Sequence, residues 1–334
     1  MAFLPLVATF TAQALLTAWL ICYTPRNSLW RPAAAPIVLA LYITTTLRGI
    51  STTLEVSGIQ HGTEASASRS AFLIRTLAIV VAKYLVLDLM TFQPSSPEDT
   101  QALFGEGREY LLFRPEGVPP VTIQAILTNL GVTVLGWGPI GSWFIEEHYR
   151  ILSLISVGLG VSSPHQWPVL FGAITEAYTL RRFWGTFWHQ LFRWPMQGIS
   201  TFLCTSILRL PRRSLVERYA KIIFVFVVSS AIHLAIDGRA GILLPRTGAL
   251  RCFLVQPLGI MLEDGVQELY RRVRVCGGGE VASTKWTRMA GYIWVWSFLA
   301  LAAPLYNFPL FRYQDPARNG VPVSVIRLAM GYFV

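Results

Sequence analysis

Apolar runs set the plan of this chain. Met1 to Pro25, Val121 to Trp143 and Met289 to Phe311 each lack a charged residue, and a helix needs about 20 mostly apolar residues to cross a bilayer. The pattern predicts spans near 1–23, 33–47, 71–91, 121–143, 151–162, 222–243, 250–264, 289–308 and 321–334. Residues 197–208 are apolar but brief, a length that suits a re-entrant or interfacial segment. The third span holds Arg75, Lys83 and Asp88, so it is expected to face other helices or water rather than lipid. Loop 92–120 is the longest irregular stretch and carries five prolines, which predicts a mobile surface loop. The Gly277-Gly278-Gly279 run reads as a flexible connector, because the GxxxxGK[ST] pattern of a phosphate loop is missing. No internal repeat is visible, which weakens a transporter built from inverted repeats.

Composition agrees with a membrane protein. Of 334 residues, 53% are hydrophobic and 14% charged, against roughly 25% charged in a soluble domain. The net charge of +10 would suggest nucleic acid in a soluble chain. Here the arginines and lysines sit in short loops beside apolar spans, so no nucleic-acid partner is expected. Loop 209–221 and loop 271–288 hold five basic residues each, which predicts both on the cytosolic side and the N-terminus in the lumen. That count also puts acid-rich loop 92–120 in the cytosol. The N-terminus lacks the basic region of a cleaved signal peptide and reads as a retained first span. Cys22, Cys204, Cys252 and Cys276 are scattered, with neither disulfide nor zinc spacing.

His233 stands out because Ile222 to Ile236 carries no other ionisable group. A polar side chain at membrane depth loses its water unless it pairs or lines a wet cavity, so it is a functional candidate by default. Ser229 and Asp237 lie four residues to either side, on one helix face. Asp237 is expected to hold the imidazole in one tautomer; a structural histidine satisfied by Ser229 or a carbonyl is the alternative. The trio is no hydrolase triad, since one helix does not bring i, i+4 and i+8 together around a substrate and no GxSxG elbow is present.

A second cluster, RRFWGTFWHQLFR (181–193), is dense in aromatic and basic residues. As a helix it places Phe183, Phe187 and Gln190 on one face and Trp184, Trp188 and Leu191 on the neighbouring stripe. It reads either as an interfacial anchor whose arginines meet lipid phosphate, or as a pocket wall where Arg181, Arg182 and Arg193 grip an anionic ligand. In a third stretch, 253–267, Pro257 is expected to kink a helix, with Gln256 meeting freed backbone groups. Glu263 and Asp264 read as solvated ends.

These segments resemble one family. RRFWGTFWHQLFR resembles the hallmark of the wax-synthase-like branch of membrane-bound O-acyltransferases, and SSAIHLAID (229–237) resembles that family's membrane histidine with its following acidic residue. FLVQPLGIMLEDGVQ (253–267) and WVWSF (294–298) resemble its next span and its aromatic late helix. The resemblance covers roughly 165–334, while 1–164 shows only membrane spans. It implies an all-α polytopic membrane protein, a single domain over 1–334, with about eight or nine transmembrane helices around a tunnel in the endoplasmic reticulum membrane. It implies His233 as the catalytic histidine and His189 at the second signature position, with Asp237 orienting. Trp184 and Trp188 would line the tunnel, Gln190 would contact substrate, and Arg181, Arg182 and Arg193 would meet the phosphates of CoA. Acyl-CoA is the implied co-substrate, with no tightly bound cofactor and no metal. The partners are a hydrophobic alcohol acceptor and the bilayer, and the oligomeric state is left open. The favoured reaction is acetyl transfer from acetyl-CoA to a terpenoid or related secondary metabolite. A long-chain wax-ester synthase and a non-enzymatic transporter are the alternatives.

Overall fold

The computed structural model describes residues 68–93, 96–112, 114–190, 193–276, 285–313 and 321–331. Among them all regular structure is helical. The expected spans 1–23 and 33–47 and the triglycine connector lie outside these residues. The chain divides into two compact units, 1–77 with 151–169, and 78–150 with 170–334. In the first, the Arg69 guanidinium donates to the Gly158 carbonyl at 2.6 Å, and the Trp167 indole donates to Ser162 Oγ at 2.8 Å.

The second unit carries the candidate chemistry. Its helices follow from α1 (Arg69–Thr91), whose second half belongs here, and α2 (Pro97–Phe104). Next come α3 (Ile123–Leu135) and α4 (Gly141–Gly158), joined by a π-helical turn over Gly136–Ile140. A three-residue turn, α5 (Leu180–Arg182), runs into a second π-turn at Phe183–Phe187. Then follow α6 (Arg193–Phe202), α7 (Leu215–Arg239), α8 (Ala249–Cys276), α9 (Lys285–Ala302), α10 (Pro304–Tyr313) and α11 (Val325–Ala329).

Among the described residues, three helical runs are long and apolar enough to cross a bilayer: α1, the stretch Ile123–Gly158, and α7. The α9–α10 pair, bent by 42°, makes a fourth if it is one broken span. On α7, Val216, Ile223, Val227 and Ile236 are exposed, as lipid-facing residues are. The prediction of separate spans at 121–143 and 151–162 is corrected to one run. Its polar centre reads as a loop in the sequence, yet Glu146 there bonds Arg150 (2.7 Å) and Lys83 of α1. Pairing lets those charges stay inside a helix. The break falls instead at Gly138, whose φ −90°, ψ −115° is non-helical, just before Pro139. Lys83 and Asp88 do face other helices, as expected: buried Asp88 accepts the Ile326 N–H at the start of α11 (3.0 Å). The predicted terminal span 321–334 is only the five-residue α11 where described.

Loop 92–120 is also more ordered than its prolines suggest. Ser96 caps α2 by accepting the Asp99 N–H (3.0 Å), and Pro97 occupies the first turn, where no N–H is missed. Phe104 packs edge-on against Phe308 of α10 (4.9 Å), and the buried Arg312–Glu109 pair (3.0 Å) fastens the segment.

The core gathers Trp137, Leu180, Phe183, Phe187, Phe226, Phe253, Val295 and Leu299 from the break before α4, the 180–187 segment, α7, α8 and α9. α7 and α8 pack along one another, and α6 packs on α7. Both candidate histidines border this aromatic cluster.

Candidate active site

The Trp-His segment is built by backbone bonds and two carboxylates. Thr179 caps α5, its hydroxyl accepting the Arg182 N–H at 3.0 Å. Glu263 of α8 accepts the Leu180 N–H at 2.6 Å and the Trp294 indole N–H at 3.0 Å. A carboxylate at a helix start also meets the positive end of the peptide dipoles. Asp264 holds the next residue, accepting from Arg181 (2.6 Å), Arg218 (3.0 Å) and the Tyr219 hydroxyl (3.1 Å). Glu263 is buried and Asp264 nearly so, which corrects their reading as solvated ends.

The segment does not continue as the helix its pattern suggests. The Trp188 N–H reaches the Phe183 carbonyl at 2.7 Å, a π-turn bond, and Trp188 itself is extended. The strand-like exit pairs back: Gly172 N–H donates to Phe187 O (2.9 Å) and Gln190 N–H to Leu170 O (3.0 Å). Gly172 is obligatory there, since a Cβ would stand 2.1 Å from the Thr186 carbonyl oxygen. Phe183 and Phe187 are buried, and Trp137 stacks on Trp188 with centroids 5.4 Å apart. Trp184 is pinned by its indole N–H to Gln256 Oε1 (3.1 Å), and the Gln256 amide donates to the Cys252 carbonyl (3.1 Å). Gln256 therefore holds a tryptophan as well as a backbone carbonyl.

His233 sits on the facing side of α7. Its Nδ1 lies 2.8 Å from the Ser229 carbonyl oxygen. A carbonyl only accepts, so Nδ1 carries the proton and the neutral ring presents its lone pair on Nε2. Phe253 packs against the ring at 4.2 Å and Tyr306 meets it at 90°, 5.4 Å away. His189 is near enough for the two imidazoles to interact electrically. Burial, with His233 as the lesser cause, pulls the His189 imidazole down to about 4.

The other predicted residues fall into place unevenly. Asp237 does not take the imidazole: its carboxylate accepts from Thr247 and from the Tyr306 hydroxyl (3.0 Å). The carbonyl one turn before His233 fixes the tautomer instead. Arg181 is tied to Asp264, and Arg182 is tied to Glu176 and lies over the Tyr178 ring at 4.6 Å. Both guanidiniums thus have protein carboxylates rather than a bare anion site. Exposed Arg193 donates to Gln190 Oε1 at 3.0 Å, so these two stand together at the segment's exit. Sequence reasoning missed Trp137, Tyr306 and Thr247, because their contacts come from other elements of the chain and leave no motif beside either histidine.

Comparison with known proteins fits this site. The sequence model of the Membrane bound O-acyl transferase family matches residues 167–255, the stretch that holds both histidines. Acetyltransferase ataH of Aspergillus terreus is 71% identical over 302 residues, covering 90% of this chain and 98% of that protein. The chain belongs to the membrane-bound O-acyltransferase family. Acetyltransferase pyr8 of Aspergillus fumigatus is 37% identical over 316 residues, covering 92% of the chain and 70% of that protein. Acetyltransferase TRI7 of Fusarium sporotrichioides is 38% identical over 261 residues, covering 76% and 58% respectively. No solved structure matches. The family resemblance read from 181–193 and 229–237 is borne out, and the chain is an O-acyltransferase, not a transporter. Family and apolar helices together make it a membrane protein, with an acyl-CoA as co-substrate and an alcohol as acceptor.

Proposed function

We propose that this enzyme transfers acetyl from acetyl-CoA to a hydroxyl of a terpenoid or related secondary metabolite, with His233 as general base. The observation that carries the base role is the Nδ1 bond to the Ser229 carbonyl, which leaves Nε2 as the proton acceptor. Relatives named acetyltransferases support the small acyl group. In the reaction, Nε2 takes the acceptor's hydroxyl proton as its oxygen bonds to the thioester carbonyl carbon. The C–S bond then breaks, and the departing CoA thiolate recovers the proton from the imidazolium. No covalent enzyme intermediate forms. His189, kept neutral by burial, steadies the developing oxyanion through a ring N–H. Arg193, with Gln190 beside it, and the positive excess of the Arg181–Arg218–Asp264 cluster meet the CoA phosphates, while Arg182 contributes less because Glu176 balances it. Trp184 and Trp188 line the acyl path beside Trp137.

The setting is one multi-pass domain in the endoplasmic reticulum membrane, arginine-rich loops facing the cytosol. Microsomes expressing the chain, given labelled acetyl-CoA and a panel of hydroxylated terpenoids, are expected to form labelled esters. Label appearing only from long-chain acyl-CoA with fatty alcohols would replace this reading with a wax-ester synthase.

A further inference from the structure

Asp237, Thr247 and Tyr306 form a buried knot beside His233. Asp237 is 1% exposed and ends the apolar part of α7. A buried carboxylate needs donors, and both here are uncharged: the Thr247 hydroxyl from the loop before α8 and the Tyr306 hydroxyl from α10. Gly248 brings these elements together, since a Cβ there would sit 1.6 Å from the Leu305 carbonyl oxygen and 3.1 Å from Tyr306 Cα. Tyr306 is therefore fixed at both ends, by its backbone against Gly248 and by its hydroxyl on Asp237.

The ring between those ends meets the imidazole. Tyr306 stands perpendicular to His233 at 5.4 Å and also packs on Phe253 at 5.9 Å, and Phe253 covers the imidazole at 4.2 Å. With Nδ1 bonded to Ser229, these two rings remove the remaining freedom of the imidazole to swing about its side-chain bonds. We infer that Tyr306 is a positioning residue for His233, and that Asp237 acts on the imidazole through Tyr306 rather than by touching it. The inference rests on the reading of His233 as the base. It makes the acidic residue after the membrane histidine part of a relay through packing, Asp237 to phenol to ring.

A small misplacement of a reacting group is enough to cost about 100-fold in rate. Tyr306→Phe keeps the ring but frees it from Asp237, so kcat is expected to fall about 10-fold with the KM for acetyl-CoA unchanged. Tyr306→Leu also removes the perpendicular contact and is expected to fall about 100-fold, so phenylalanine partly rescues. Asp237→Ala, which removes both acceptor oxygens, is expected to match Tyr306→Phe, and the double variant to be no worse than either, because residues acting through one contact are not additive. Purified, folded variants assayed beside His233→Ala separate the possibilities. An inactive His233→Ala with wild-type kcat in Tyr306→Phe and Tyr306→Leu overturns the positioning role and leaves the base. An active His233→Ala overturns the base reading itself. Should Asp237→Ala fail to fold, the two Tyr306 variants decide between these outcomes.

Discussion

Asp237 and Asp264 are sheltered carboxylates on adjacent helices with opposite kinds of partner. Asp264 accepts from two guanidiniums and a phenol, and so clamps α5, α7 and α8 together. Asp237 accepts from two hydroxyls, one of them on the tyrosine that faces His233. The first arrangement commits charged donors to a carboxylate and ties helices together, with only the excess of one guanidinium left for the proposed CoA contact. The second leaves the nearby imidazole with its Nε2 lone pair unspent, because the neighbouring proton is already committed to a carbonyl. Chemistry is assigned where a strong acceptor is left open, and support where acceptors are saturated.

The catalytic side of this contrast is most vulnerable at His233. His233→Ala is expected to lower kcat about 1,000-fold in membranes, the size of a lost general base. Gly172→Ala strikes the segment that presents His189. The new Cβ meets the Thr186 carbonyl, so the π-turn must move, and activity is expected to fall about 10- to 100-fold with a lower melting temperature in detergent. On the supporting side, Glu263→Ala leaves the Leu180 and Trp294 N–H groups without their acceptor. It is expected to lose about 1–3 kcal/mol of stability by thermal denaturation, with Glu263→Gln losing less.

His189 refines the contrast through pH. Its imidazole is pulled down to about 4, below the ordinary value near 6.5, so between those values the unfolded chain holds a proton that the folded enzyme does not. Stability therefore falls as pH drops through that window. His189→Asn is expected to flatten this acid limb in melting curves from pH 7 to pH 4, leaving the slope above pH 7 unchanged. The smallest effect is expected at the half-exposed Arg182–Glu176 pair: Glu176→Gln should shift stability by less than about 1 kcal/mol.

What the chain declares about itself is local. His233 and the Trp-His cluster are legible because an ionisable group in an apolar run, or tryptophans packed among arginines, are departures from pattern within a few residues. The single run from 123 to 158 is hidden because Glu146 and Arg150 look like a loop until Lys83, far away in sequence, arrives to pair with them. Glu263 and Asp264 look like a solvated helix end for the same reason, since their donors lie near residues 180, 218 and 294. The spacing of Asp237 from His233 is legible, but not its partner: i and i+4 place two groups on one face without saying which competing donor wins. Tyr306 wins because Gly248 brings its helix start against the loop that carries Thr247.

Whether His233 Nε2 takes the acceptor proton is decided by His233→Gln, which keeps a polar side chain of similar reach without a basic nitrogen. Acetyl transfer and acetyl-CoA binding should be measured on one purified sample of verified fold. With Nε2 as the base, transfer falls about 1,000-fold while acetyl-CoA affinity is unchanged; transfer at the wild-type rate would refute the base role.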